Sequence, residues 1–254
     1  MNIIEEYIKQ QAWRNWEQYL LEIPIRKDDI VFDLGCSVGS VSDLLADQVR
    51  SVVGVDLNAE FIDYCLSKKK LNQHFICSDF TLVDYSALPR PNGIWSSFSL
   101  SYLQDPTSFL ASLHGLLAPE GWIALVDVSK FISGNMLPGC THFEKLRQFE
   151  QDSGTSGVYD FDFGAKMESM LNSAGFDIVH VNNNVADQEL NFVGKASKEI
   201  LTNWQARLER MHGIRAQFPT IYAEIAGEVL SSLASEHHGQ NGSLRFIVAR
   251  KNGN

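Results

Sequence analysis

Three aspartates carry the clearest chemical pattern in the sequence, because each stands at the end of a short apolar run. Asp33 lies in IVFDL, Asp56 closes SVVGVD and Asp79 closes HFICSD. Ligands of open α/β sheets bind beyond the carboxyl ends of the strands, so acids at successive strand ends predict one shared site. Carboxylates there favour a cationic ligand and accept hydrogen bonds from ribose hydroxyls or an adenine amine.

A glycine loop, D-L-G-C-S-V-G, runs from Asp33 to Gly39. Gly35 and Gly39 carry no side chain, so a ligand can approach the backbone where the strand turns into a helix. The spacing of a dinucleotide-binding loop, G-x-G-x-x-G, is absent, and Asp33 would repel a pyrophosphate. The pattern therefore disfavours NAD. It favours S-adenosylmethionine, which carries an ammonium group, a ribose, an adenine and a sulfonium.

Apolar runs alternate with helical spacings through the first half of the chain, which predicts a doubly wound, mainly parallel sheet. Asp105 is expected to cap a helix that has Pro106 in its first turn. The predicted elements of this half include a helix at 3–21, strands at 30–34, 51–56, 74–79, 93–100 and 122–128, and a helix from Pro106 through Leu117.

The alternation stops after Lys130. Residues 131–160 are rich in glycine, serine and aromatic residues, which predicts an irregular segment with a functional role. Beyond it we expect a helix at 165–174, a strand from Phe176, helices at about 198–212 and 220–235, and a final edge strand at 244–251.

Composition narrows the class of protein. The chain has 254 residues, of which 44% are hydrophobic and 20% charged, with a net charge of −10. This balance excludes a disordered or fibrous protein, and the negative charge disfavours nucleic acid and anionic lipid as partners. The acids near the N-terminus and the short apolar runs predict neither a secretory signal nor a membrane span. Four cysteines without a C-x-x-C pair fit a reducing cytoplasm.

Residues 28–128 resemble the class I S-adenosylmethionine-dependent methyltransferases. The matching motifs are VFDLGCSVG, VVGVD, CSDF, GIWSSFSLSYL and LHGLLAPEGWIALVD, and the closing FDIVHV and RFIVARK look like that family's last two strands. The resemblance implies a Rossmann-like, seven-stranded α/β sheet with an antiparallel last strand, plus a helical cap. In length and in the closing FIVAR, the chain is similar to small-molecule members such as the trans-aconitate methyltransferases.

The resemblance also assigns cofactor residues by position. They are Asp33, Gly35, Cys36 and Gly39 on the methionine side, Asp56 at the ribose, Leu57, Asp79 and Phe80 at the adenine, and Ser97 near the methionine amino group. The family usually has glycine where this chain has Ser37. A serine suits this loop only if its backbone keeps a negative φ.

Candidate substrate residues lie mostly outside the cofactor segment. The predicted pocket residues are Arg14, Trp16, Tyr102, Tyr159 and Trp204, with Arg207 and His212 at its border. Arg14 is expected to hold a carboxylate, and His142 and Tyr102 are the candidate catalytic residues. A base is needed only for an acceptor that arrives protonated. His237–His238 is expected to be a surface pair, and no metal site is predicted.

These predictions divide one methyltransferase domain, residues 1–254, into four parts. We expect an N-terminal helical lid at 1–25, a cofactor-binding core at 28–128, a substrate-side insertion at 129–163 and a helical cap at 186–240.

The expected activity is in-line transfer of a methyl group from S-adenosylmethionine to oxygen, nitrogen or carbon of a small molecule. The first alternative is an RNA or protein methyltransferase, which would need a basic rim. The only dense basic run is Lys68, Lys69 and Lys70, on a helix predicted to lie far from the cofactor mouth. The second alternative is a non-catalytic S-adenosylmethionine-binding protein, since fold does not fix function. The oligomeric state stays open.

Overall fold

The structure is a computed structural model that describes residues 3–252. Its strands are β1 Ile30–Leu34, β2 Ser51–Asp56, β3 Gln73–Cys77, β4 Gly93–Ser97, β5 Trp122–Val128, β6 Phe176–Asn182 and β7 Leu244–Lys251. Its helices are α1 Ile3–Ala12, α2 Trp16–Leu21, α3 Ser40–Ala46, α4 Ala59–Lys68, α5 Pro106–Leu116, α6 Phe143–Ser156, α7 Phe163–Ser173, α8 Lys198–Arg210, α9 His212–Gln217 and α10 Tyr222–Leu233. Within these residues, no helix has the length and apolar character needed to span a membrane.

The strands form one seven-stranded sheet in the order β3-β2-β1-β4-β5-β7-β6. Strands β1 to β5 are parallel, and β7 runs antiparallel to both β5 and β6. This confirms the predicted doubly wound sheet with its antiparallel last strand. The strand order reverses between β1 and β4, and this switch point opens a crevice at the carboxyl ends of the strands.

The final strand corrects one prediction, because β7 lies inside the sheet rather than at its edge. Its alternation suggested one buried face, as an edge strand would have. The intervening positions Ile247 and Ala249 are also apolar and fully buried, so β7 packs against helices on both faces. A strand buried on both faces belongs in the interior of a sheet.

The predicted helix at 3–21 is two helices. The N–H groups of Trp13 and Arg14 bond back three residues, to Gln10 and Gln11, which tightens the turn and ends α1. Residues 143–156, expected to be irregular, form α6, and α9 was not predicted. The Asp105 cap of α5 is confirmed, since its carboxylate accepts the N–H of Ser108 at 3.0 Å.

One apolar cluster joins all four predicted parts of the chain. It contains Trp16 from the N-terminal part, Val31 from β1, Phe131 after β5 and Trp204 from α8. Burial of such side chains contributes about 1.5–3 kcal/mol each, so the cluster is a main source of stability. The division into lid, core, insertion and cap remains a proposal about function, because the parts share one core.

Candidate cofactor and substrate site

A cavity of about 750 Å³ opens at the carboxyl ends of the parallel strands. Eight of the nine residues predicted to hold the cofactor line it, namely Asp33, Gly35, Cys36, Asp56, Leu57, Asp79, Phe80 and Ser97. The ninth, Gly39, begins α3 with a φ of +77°, and a Cβ there would come within 2.9 Å of the Cys65 sulfur. Gly39 thus lets α3 start close to α4, without itself facing the cavity.

The loop after β1 is bound to the end of β2. The Ser37 N–H donates to Oδ2 of Asp56 at 2.8 Å, and the Asn58 N–H donates to Oδ1 at 2.9 Å. Burial raises the pKa of Asp56, although these N–H groups oppose the shift. Each carboxylate oxygen has more than one lone pair, so Asp56 can still accept hydrogen bonds from ribose hydroxyls in the cavity.

Backbone strain is concentrated in this wall. Ser37 has a φ of +49° and Phe98 a φ of +56°, both in the left-handed region that favours glycine. The condition under which a serine suits this loop, a negative φ, is therefore not met at Ser37. Its hydroxyl is buried without a hydrogen-bond partner among the described residues, so the side chain does not offset the strain. Strain of this kind is typical of ligand-binding sites.

Replacing Ser37 by glycine is expected to raise the free energy of unfolding by about 0.5–1 kcal/mol. Removing Cβ relieves the left-handed backbone, and the greater freedom of glycine in the unfolded chain cancels part of the gain. Urea denaturation measures the change. Ser67→Gly, in the exposed last turn of α4, is the control and should be destabilising. Destabilisation by Ser37→Gly would contradict the interpretation that the Ser37 backbone is strained.

Asp33 is buried beneath the loop, and its Oδ2 accepts a hydrogen bond from the Ser42 hydroxyl at 2.5 Å. Burial raises its pKa to about 7, with a smaller contribution from the charge of Asp56 and against the Ser42 hydrogen bond. Asp33 therefore changes charge near neutral pH, in the wall that is expected to face an ammonium group.

We predict that cofactor affinity falls as the pH drops through about 7, because protonated Asp33 no longer attracts the ammonium group. Calorimetric titration with S-adenosylmethionine about one unit above and below that pH measures the effect. In Asp33→Asn the affinity should be lower and independent of pH over this range. An unchanged pH dependence in that variant would show that another group titrates.

Just beyond the end of β3, Asp79 and Phe80 form the part of the wall that is predicted to face the adenine. Oδ1 of Asp79 accepts the N–H and the hydroxyl of Thr81 at 2.8 and 2.7 Å, which fixes the turn. The Phe80 ring packs 5.4 Å from the ring of Phe109 and borders the cavity. An acid beside an aromatic face suits the amine edge and the plane of an adenine.

Comparison with known proteins identifies the fold's family. A family model described as a methyltransferase domain matches residues 5–181. The chain belongs to this methyltransferase family. It is 24% identical over 139 residues to the demethylmenaquinone methyltransferase of Lactobacillus johnsonii, covering 51% of this chain and 55% of that protein. It is 26% identical over 114 residues to the malonyl-[acyl-carrier protein] O-methyltransferase of Pseudescherichia vulneris, covering 43% of each.

These alignments span about half the length of the curated relatives. Among solved structures, the mycolic acid cyclopropane synthase CmaA1, complexed with SAH and CTAB, is similar over 93% of this chain and 82% of that one. The two are 14% identical with a TM-score of 0.61, a likeness that shows the fold. Membership of the methyltransferase family implies S-adenosylmethionine as the cofactor.

The cavity residues that are assigned to the cofactor fit S-adenosylmethionine. Their charged members are the acids Asp33, Asp56 and Asp79, which suit an ammonium, a ribose and an adenine amine. The arginines of the wall are Arg14 and, on α8, Arg207 and Arg210, and none of them is among the residues assigned to the cofactor. When bound, the cofactor supplies a sulfonium methyl group, and the assigned residues offer it negative rather than positive neighbours.

The part of the wall that we predict to face the acceptor contains three tyrosines. The rings of Tyr102 and Tyr159 lie 4.8 Å apart, and both line the cavity as predicted. Tyr7 of α1 joins them and packs 4.8 Å from Phe61 of α4. Sequence reasoning missed Tyr7, because a tyrosine on a surface helix gives no local signal that the helix closes over a cavity.

Arg14 corrects the expectation that it holds a substrate carboxylate. It borders the cavity, but its guanidinium donates to Asp187 at 2.9 Å and to Glu189 at 2.6 Å. Arg207 of α8 reaches the same Glu189 at 2.6 Å. Two arginines and two acids cancel in charge, so this buried ionic network ties the N-terminal helices to α8 instead of offering a free cation.

Three other predicted site residues lie away from the cavity wall. Trp16 is buried against Trp95 with ring centroids 5.6 Å apart, and Trp204 is fully buried, its indole N–H donating to the Glu189 carbonyl at 3.0 Å. Burying a large aromatic ring in the core is more favourable than leaving it in the solvent-accessible wall of a cavity. Both tryptophans are therefore packing residues.

His142 precedes α6, and its ring lies 3.2 Å from Glu228, so it joins α6 to α10 and does not face the cavity as a base would.

Two further histidine expectations have different outcomes. His238 is buried and stacks on Phe192 at 4.3 Å, so His237–His238 is not a surface pair. His212 is exposed and does not line the cavity. Over residues 3–252, no cluster of histidine, cysteine and acidic side chains could hold a metal ion.

Proposed function

We propose that this protein transfers the methyl group of S-adenosylmethionine to oxygen, nitrogen or carbon of a small molecule with an apolar body. The observation that carries the proposal is the two-part cavity, which has acids at the strand ends and an apolar second half. The apolar wall of that second half comprises Phe131, Phe149, Phe161, Leu190, Met211 and Ile214.

The size of the cavity supports a small acceptor. Ligand pockets of about 300–1,000 Å³ enclose most of the surface of a drug-sized molecule, and this cavity has about 750 Å³ for cofactor and acceptor together. The name of one relative, a demethylmenaquinone methyltransferase, supports a small-molecule acceptor, whereas the other relative is named for a malonyl group on acyl-carrier protein.

The charges of the chain weigh against an RNA acceptor. Lys68 pairs with Asp43 at 2.8 Å and Lys70 with Asp47 at 2.6 Å, so two cations of the dense basic run are neutralised by acids. In the cavity wall, Arg210 is likewise paired, with Glu6. Retention of tRNA on a filter in low salt would favour the RNA methyltransferase, and our proposal predicts none.

Methyl transfer itself is tested with radiolabelled S-adenosylmethionine and a panel of phenols, alcohols, carboxylic acids and amines. We expect labelled product from at least one apolar member of the panel. Cofactor binding without transfer to any compound would favour the non-catalytic binding protein instead.

A further inference from the structure

Five aromatic rings form a continuous part of the cavity wall, which we call the aromatic lining. The ring centre of Tyr102 lies 4.8 Å from that of Tyr159, and Tyr159 lies 4.7 Å from Phe161. Phe161 in turn lies 6.4 Å from Phe131 and 5.7 Å from Phe149. All five residues line the cavity. Aromatic rings at such separations attract one another beyond what burial alone provides, so this lining suits a flat aromatic molecule.

The aromatic lining runs from an exposed end to a buried end. Tyr102 is 64% exposed, whereas Phe161 is 7% and Phe131 5% exposed. The guanidinium carbon of Arg207 lies over the Phe131 ring at 5.2 Å from its centre, and over the Trp204 ring at 5.5 Å. Arg207 also borders the cavity. A cation that is held against aromatic faces therefore stands at the buried end of the lining.

Most of the hydrogen-bond donors of Arg207 are unused. Its Nη2 donates to Oε1 of Glu189 at 2.6 Å, which is the side chain's one hydrogen bond within residues 3–252. In the same part of the chain, Nε is buried without a partner, although buried donors of native structures nearly always have one. A guanidinium carries five N–H donors. The Arg207 side chain borders the cavity and is 18% exposed, so a bound molecule can contact it and accept a hydrogen bond.

The charges around Arg207 favour a neutral oxygen over an anion as its partner. Glu189 pairs with both Arg207 and Arg14, and Arg14 also pairs with Asp187, so two cations already face two carboxylates. A carboxylate of the ligand would leave water and add a charge that lacks a counter-charge. A carbonyl oxygen accepts a hydrogen bond from Arg207 and adds no charge.

We propose that the methyl acceptor is a flat aromatic molecule with a neutral carbonyl group, and that Arg207 selects it by donating a hydrogen bond to the carbonyl oxygen. This inference rests on the proposed function and names the substrate class of the same cavity. The aromatic lining binds the ring system, and Arg207 at the buried end fixes its orientation. A molecule without the carbonyl group forgoes this hydrogen bond.

Four probes test the parts of the proposal one by one. 6-Acetyl-2-naphthol has flat rings and a carbonyl group, and 2-naphthol lacks the carbonyl group. In 6-hydroxy-2-naphthoate a carboxylate replaces the acetyl group. trans-Decahydro-2-naphthol keeps the carbon skeleton of 2-naphthol without flat rings. Calorimetric titration in the presence of S-adenosylhomocysteine measures all four affinities without turnover.

The wild-type protein is expected to rank these probes in a fixed order. One hydrogen bond to a charged group should make 6-acetyl-2-naphthol bind about 10- to 150-fold more tightly than 2-naphthol. 6-Hydroxy-2-naphthoate should bind more weakly than 6-acetyl-2-naphthol, because of its additional charge. Loss of ring–ring attraction should make trans-decahydro-2-naphthol bind about 2- to 10-fold more weakly than 2-naphthol.

Arg207→Lys should remove the advantage of the carbonyl compound. Lysine keeps a positive charge for Glu189 but lacks the planar set of donors. Affinity for 6-acetyl-2-naphthol should fall about tenfold or more, and affinity for 2-naphthol should stay as in wild type, whereas a structural defect would weaken both. Arg215→Lys is the matched control. Arg215 also lies over an aromatic ring, that of Tyr222 at 4.7 Å, but it is exposed and does not line the cavity.

Phe161→Leu tests the aromatic lining separately. Phe161 contacts three other rings of the lining, and leucine keeps an apolar side chain at this position. The preference for 2-naphthol over trans-decahydro-2-naphthol should shrink by about twofold or more. Phe192→Leu is the control, because Phe192 stacks on His238 outside the cavity wall, and it should leave that preference unchanged. Titration with S-adenosylhomocysteine shows whether each variant is folded, and the wild-type ranking decides if one is not.

Four results would overturn the inference. They are no binding of any probe, equal wild-type affinity for 6-acetyl-2-naphthol and 2-naphthol, an equal loss of both in folded Arg207→Lys, and labelled methyl transfer to saturated alcohols or amines alone. The last result would keep the proposed function. Binding that depends on Arg207, without transfer of label to any compound, would instead contradict the proposed function and support the selection by Arg207.

Discussion

Glu189→Gln is expected to lower the free energy of unfolding by about 3–5 kcal/mol, the range for a buried ion pair that loses one partner. Glu189 is fully buried and binds Arg14 and Arg207, each at 2.6 Å. It also accepts a hydrogen bond from Asn203 of α8. Neutral glutamine leaves two arginines with Asp187 as the remaining acid of the network, and Arg14 has almost no access to water.

Chemical denaturation measures the Glu189→Gln effect, and Glu199→Gln is the matched control. Glu199 also faces a cation, Lys9, but at 3.9 Å and with both side chains more than half exposed. Exposed pairs contribute little, so the control should change stability by less than about 1 kcal/mol. Equal effects of the two substitutions would show that the buried network does not hold the N-terminal helices to α8.

The network also predicts how stability depends on pH. Burial acts to raise the pKa of Glu189, but the charges of Arg207 and Arg14 overcome it and hold the pKa below the usual value. A lowered pKa stabilises the folded state above the unfolded pKa of about 4.3, and this contribution is lost as the pH falls through the folded value. Wild type should therefore lose more stability in acid than Glu189→Gln does.

Asp56→Ala is expected to weaken binding of S-adenosylmethionine by about 1–3 kcal/mol, the scale of losing a charged hydrogen-bond acceptor. This corresponds to a roughly 5- to 150-fold rise in Kd. Asp56 is the acid at the end of β2 in the cavity wall, and calorimetry with wild type and variant measures the difference directly.

Asp56 also fixes the glycine loop through the N–H groups of Ser37 and Asn58, so the loop needs its own control. Asp56→Asn keeps one acceptor oxygen for the loop and should bind the cofactor with intermediate affinity. Asp84→Ala removes an exposed turn acid with similar local hydrogen bonds and should leave affinity unchanged. Unaltered affinity in Asp56→Ala would show that the ribose assignment is wrong.

The cofactor half of the site was predictable because its signals are local. Asp56 and Asp79 each follow an apolar run, and the register of parallel strands then brings their ends to one edge. The requirement for glycine at position 35 also comes from nearby residues. Its φ is +80°, and an added Cβ would lie 1.8 Å from the Ser99 hydroxyl oxygen. The positive φ of Ser37 was not predictable, because it depends on how the folded loop is held against Asp56.

The substrate half depends on contacts between distant parts of the chain, which sequence spacing does not encode. Arg14 looked like a substrate ligand, but its acids are 173 and 175 positions away. Tyr7 reaches the cavity because α1 packs against α4. Trp16 and Trp204 were predicted to line the pocket but lie in the core. A tryptophan suits either place, so the residue type alone does not distinguish a core position from a pocket position.

Calorimetric titration of the wild-type protein with S-adenosylhomocysteine tests most directly whether acids at the strand ends form a site for the adenosyl cofactor. The site predicts one molecule bound per chain with a micromolar Kd, and competition when S-adenosylmethionine is added afterwards. No binding heat for either compound, at protein concentrations well above the micromolar range, would contradict the account.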